Sequence, residues 1–186
     1  MSVDPRQFID LDIEKVRPQA TPFALLALEP AYKIDKEVLE RHYLILQREL
    51  HPDRFVNRPG EAHTAQMMSA WINRAYTALK DPLLRAQALL RLKGCPSPDE
   101  NVCDPLLLAE VMEWREQLEN FKTASEKSQF CHELQQRIQS CENNFEHAWQ
   151  AQDPGNLQQK YLELSYLIQT LRHAQGSDFS ESVAVA

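Results

Sequence analysis

The chain has 186 residues, enough for one or two small domains that bury a core without disulfide or metal staples. Its 4 glycines all stand alone, which excludes a phosphate-cradling glycine loop and disfavours a turn-rich β sandwich or barrel. The net charge of −7 is unevenly placed: residues 1–95 hold 14 Lys/Arg and 12 Asp/Glu, residues 96–186 hold 6 and 15, a poor match for a non-specific nucleic-acid binder.

Residues 1–20 have no apolar period and read as an irregular leader. They lack the apolar core of a signal peptide, and no apolar run is long enough to span a membrane. Thr21-Pro22 supplies a cap and a first-turn proline for a short helix, Phe23 to Leu28, which Glu29-Pro30 is expected to stop. Asp35 caps a second helix running to about Leu50, with Leu39, Tyr43, Leu46 and Leu50 as its apolar stripe. Lys36, Arg41 and Arg48 give it a basic face. A loop follows from His51 to Gly60. The third helix covers Glu61 to Lys80, and Asp81-Pro82 opens a fourth that ends at Gly94.

Gly94-Cys95-Pro96-Ser97-Pro98 marks a corner or linker where the charge also changes sign, so a domain boundary is expected across 94–103. Asp104-Pro105 opens a helix reaching about Phe121. A long helix carries Phe130, Leu134, Ile138, Cys141 and Phe145 in register. After the turn Asp153-Pro154-Gly155, Asn156 is expected to cap a last helix with Leu157, Tyr161, Leu164, Ile168 and Leu171 on one side. The fold class is therefore all-α: residues 104–174 form an antiparallel three-helix bundle, followed by a flexible tail, 175–186.

His51-Pro52-Asp53 stands out in this plan. Pro52 forces His51 out of helical geometry, so Asp53 is displayed on a turn beside Arg54 and close to Arg48. A carboxylate fixed in that way suits a bidentate arginine on a partner. The competing readings are a plain polar helix stop and a His–Asp catalytic dyad, which would need a nucleophile and a pocket that the sequence does not suggest. The four cysteines, Cys95, Cys103, Cys131 and Cys141, have no zinc spacing and read as reduced thiols; the scattered histidines read as surface or packing residues. No catalytic residue, metal site or cofactor is expected.

The short first helix, basic second helix, HPD loop and third helix ending in AYTALKDPLLRAQALL resemble the J domain of DnaJ-type co-chaperones over residues 21–93. Asn73, Ala75, Tyr76, Leu79, Asp81, Pro82 and Arg85 stand in the usual places. The resemblance implies that His51, Pro52 and Asp53 engage a DnaK-type chaperone and stimulate its ATP hydrolysis, with Arg41, Arg48 and Arg54 facing an acidic patch. The chain lacks the Gly/Phe-rich linker and zinc repeats of general DnaJ chaperones. A J domain followed by an acidic helical bundle is similar to the HscB family of iron–sulfur cluster assembly.

That similarity implies an HscA-like chaperone and an IscU-like scaffold as partners. Within LLAEVMEWREQLE it implies Leu108, Ala109 and Met112 as apolar scaffold contacts and Glu113, Arg115 and Glu116 as polar ones, with Tyr166 on the last helix. Ala109 departs from the family, where a larger apolar residue is usual. Independently, Leu107, Val111, Trp114 and Leu118 already make a complete stripe, which leaves Leu108 and Met112 flanking it as a binding patch or as a wide core. The chain is expected to act as a cytoplasmic monomer with no enzymatic activity, no membrane and no nucleic-acid partner. A mitochondrial matrix location, a dimer through the 107–118 face and a general J-domain role with other clients are the alternatives.

Overall fold

The computed structural model describes residues 21–55, 59–95 and 105–176. The expected leader, most of the linker with Cys103 and Asp104, and the tail beyond Gly176 lie outside the described residues. The chain divides into two compact units between Lys93 and Gly94. The described residues are helical, with no strand among them.

The first unit holds α1 (Pro22–Leu25), α2 (Lys36–Glu49), a 3-10 turn (Pro52–Phe55), α3 (Pro59–Lys80) and α4 (Pro82–Leu92). Side-chain caps start three of these helices. Thr21 accepts the Ala24 N–H at 3.2 Å, Asp35 accepts those of Glu37 and Val38, and Asp81 accepts those of Leu83 and Leu84. α1 is shorter than the expected Phe23–Leu28. Ala27 takes φ 53, its N–H bonds to Ala24 O, and the Leu28 N–H reaches back to Phe23 O at 2.9 Å. This is a Schellman stop with alanine where glycine is usual, so the chain turns before Glu29-Pro30 is reached. The buried His42 ring completes it, Nδ1–H donating to Leu26 O across 2.8 Å.

α3 is the spine of this unit, packing against α1, α2, α4 and the 3-10 turn. Phe23, Leu26, Leu39, Leu46, Leu50, Ile72, Leu79 and Leu89 are buried at these contacts. Tyr43, expected within the stripe, sits half-buried at its rim and stacks on Tyr76 with ring centroids 4.0 Å apart. Arg85 is buried with its guanidinium over the Tyr32 ring, and Nη1 donates to Leu79 O at 2.7 Å.

The second unit holds α5 (Pro105–Asn120), α6 (Ala124–Gln150) and α7 (Pro154–Ala174), an antiparallel bundle with short connections. α7 packs along α6 and also against α5. The core comes from Val111 and Trp114 on α5, Phe130, Leu134, Cys141 and Phe145 on α6, and Leu157, Leu164, Leu167 and Ile168 on α7. Ile138, Tyr161 and Leu171 are half-buried at its edge. Thr123 and Glu126 form a reciprocal capping box at the start of α6. The N-cap of α7 is Asp153, not Asn156: Pro154 occupies the first helical position, so the cap must precede it, and the Asn156 N–H donates to Asp153 Oδ1 at 3.1 Å.

Candidate functional site

The first candidate surface begins where α2 ends. The Leu50 N–H still reaches Leu46 O, but His51 has left the helix, and the Arg54 N–H donates to His51 O at 3.0 Å to close the 3-10 turn. Phe55, the last residue of the turn, is buried, and the turn packs on α3. Asp53 consequently points outward with 87% of its side chain exposed. Its carboxylate Oδ2 lies 3.6 Å from His51 Nδ1, and its own N–H makes a long 3.4 Å contact to the same nitrogen. Both side chains stand exposed to water. The Asp53 carboxylate is displayed to solvent at the tip of the turn.

Arg41 and Arg48 lie two turns apart on the exposed side of α2. Leu44 stands between them, 56% exposed. Arg48 and Arg54 do not face solvent as bare cations. Glu49 reaches both, with Oε2 2.8 Å from Arg54 Nη1 and Oε1 3.8 Å from Arg48 Nη2. A sequence reading that counts the arginines alone overstates the positive field, because one carboxylate partly neutralises two of them.

A ladder of side chains locks this face onto α3. Asn73 Oδ1 accepts from Tyr43 Oη at 3.0 Å and from Gln47 Nε2 at 2.8 Å, and Ser69 Oγ donates to Gln47 Oε1. Tyr76 donates its hydroxyl to Glu40, and Lys80 approaches the Tyr76 ring. The bond to Glu40, helped by partial desolvation, raises the Tyr76 pKa, so the phenol stays a donor. Asn73 and Tyr76 matched the J-domain pattern, but their bracing role is visible only once α2 and α3 are side by side.

The second candidate surface is α5. Val111 and Trp114 are buried while Leu107 and Leu118 are half-buried, which makes one inward stripe. Leu108 is 41% exposed, Met112 is 62% exposed, and Ala109, Glu113, Arg115 and Glu116 are all exposed. The structure thus brings six of the seven expected scaffold residues onto the outer side of one helix. Tyr166 is half-buried on a different helix, α7. Leu106, absent from the expected set, is 83% exposed and lines a cleft with Leu107, Glu110, Gln159, Leu162 and Glu163. On the α6 side, Arg137 pairs with Glu110 and lies 4.7 Å above the Trp114 ring, which fixes α5 in rotation.

Comparison with known proteins places the chain in a family. The family model described as the HSCB C-terminal oligomerisation domain matches residues 103–174. A co-chaperone protein HscB homolog from Shewanella woodyi is 39% identical over 107 residues, covering 56% of this chain and 62% of that relative. One from Shewanella loihica is 37% identical over 122 residues, covering 61% of this chain and 68% of that relative. The chain belongs to the HscB family. The crystal structure of human co-chaperone protein HscB has the same fold, with TM-score 0.79 over 86% of this chain and 82% of that one at 24% identity. Within this HscB frame, Glu49, Leu44 and Leu106 are surface residues that sequence reasoning missed. Glu49 carried a signal, since an acid next to Arg48 and five residues before Arg54 can meet both once the helix ends. Leu44 and Leu106 were legible only as apolar residues off the core stripe.

Proposed function

We propose that this protein is a J-type co-chaperone that stimulates ATP hydrolysis by a DnaK-type, HscA-like chaperone and brings it an IscU-like scaffold during iron–sulfur cluster assembly. The observation that carries the reading is Asp53, held on a closed turn and almost fully exposed beside a basic helix face. Residues 21–93 act as the J domain and residues 104–174 as the scaffold-binding bundle. His51, Pro52 and Asp53 form the contact loop, and Arg41, Arg48 and Arg54 steer an acidic surface towards it. Leu108, Ala109, Met112, Glu113, Arg115 and Glu116, with Tyr166 on α7 of the same bundle, receive the scaffold. Carrying both surfaces on one chain raises the effective concentration of scaffold at the chaperone. The protein works in the cytoplasm and has no catalytic activity of its own.

Single-turnover ATP hydrolysis by an HscA-like chaperone tests this. Stimulation that is lost in Asp53→Ala and grows with an IscU-like scaffold supports both halves. Stimulation indifferent to the scaffold leaves a general J protein for other clients. Absence of stimulation, with the chaperone shown active against another co-chaperone, refutes the reading.

A further inference from the structure

Glu49 is an odd occupant of a face meant to meet an acidic partner. It sits in the last turn of α2, its side chain only 17% exposed, with its two oxygens turned towards Arg54 and Arg48. Arg54 belongs to the next element, one residue past Asp53. The 2.8 Å pair therefore ties the 3-10 turn to the end of α2, while Phe55 at the other end of the turn is buried. Among the described residues the Asp53 carboxylate has only a 3.6 Å approach to His51 Nδ1, and its N–H a 3.4 Å contact to the same nitrogen, so the direction of the carboxylate depends on the backbone of its neighbours. One of those neighbours is held by Glu49.

We propose that Glu49 is a positioning residue, which clamps Arg54 to α2 and so fixes the turn that presents Asp53. The proposal rests on the co-chaperone reading for its effect on activity. Its physics gives a test with opposite signs. As a charge, Glu49 opposes an acidic partner, so removing it would strengthen encounter. As a clamp it keeps one turn geometry populated, so removing it would weaken the productive contact.

The experiment compares the full chain with Glu49→Gln and Glu49→Asp in single-turnover hydrolysis, separating maximal stimulation from the concentration giving half of it. Amide hydrogen exchange at Arg54 and thermal melting accompany both variants. For Glu49→Gln, maximal stimulation is expected to fall about threefold to fivefold while the half-maximal concentration is unchanged or lower, because a charge-assisted bond between partly buried groups is lost. Arg54 exchange should quicken by about the same factor, since its N–H closes the turn onto His51 O. Glu49→Asp, which keeps the charge but shortens the reach, should show the same fall, and the melting temperature should hardly move.

Unchanged maximal stimulation with tighter binding would make Glu49 only a repulsive charge and overturn the proposal. Unchanged Arg54 exchange would overturn it as well, and that measurement decides the matter even if no chaperone responds to the wild-type chain.

Discussion

Replacing Met112 by alanine separates a binding surface from a core more cleanly than any other change on α5. Met112 is 62% exposed, so little of its side chain contributes to the bundle, and truncation should alter folding stability by less than about 0.5 kcal/mol. A fully buried methionine gains about 1.5–3 kcal/mol by leaving water, and the exposed share of this one leaves about 1–2 kcal/mol to be gained at an interface. That corresponds to a loss of roughly 5- to 30-fold in affinity for an IscU-like scaffold. Adding Leu108→Ala, at 41% exposure, should increase the loss further because the two side chains are one helical turn apart. Isothermal titration calorimetry of each variant against the scaffold measures the affinity, and thermal melting measures the fold. Trp114→Ala is the contrasting control: the ring is buried under Arg137, so it should lower stability by about 3–5 kcal/mol. Scaffold affinity within twofold of wild type for the Met112/Leu108 double variant would refute the assignment of this face.

Gln152 closes α6 at φ 56, where its Cβ is strained, so Gln152→Gly should stabilise the bundle by about 0.5–1 kcal/mol, read as a melting temperature raised by a few degrees. Burial pushes the Cys141 thiol up to about 12, so it should resist thiol reagents in the native protein and react only on unfolding, while the half-buried Cys131 reacts sooner. The unfolded thiol ionises near 9, so the unfolded state sheds this proton first and stability should fall as pH rises from about 9 towards 12, more steeply in alkaline melts of wild type than of Cys141→Ala. The Glu126 carboxyl is held below its usual range by the Lys122 and Thr123 N–H groups, so it supports the fold above the unfolded carboxylate pKa and loses that support as pH falls through the lower folded value. Glu126→Gln should flatten that part of the acid melting profile.

The order of the helices and most of their starts were written in local chemistry. Thr21, Asp35 and Asp81 cap with their own side chains the residues that follow them, and prolines at the first helical position need no partner from elsewhere. Apolar spacing likewise marked Leu39, Leu46, Val111, Trp114, Phe130 and Leu164 as inward-facing, because a helix puts residues three and four apart on one side wherever it packs. The HPD turn was legible for a similar reason, since Pro52 acts on His51 through the backbone alone. Two helix ends escaped, at Ala27 and Gln152. A Schellman stop without glycine has no residue to announce it, and the strain is carried by surrounding packing such as the His42 bond to Leu26 O. Tertiary structure decided which of the surface charges are spent inside the chain. Glu49 meets Arg54, Glu110 meets Arg137 and Tyr76 meets Glu40 across elements that share no local period. How far Leu108 and Met112 stay exposed was settled there too, because a helix's spacing gives the direction of a side chain but not whether a neighbouring helix arrives to cover it.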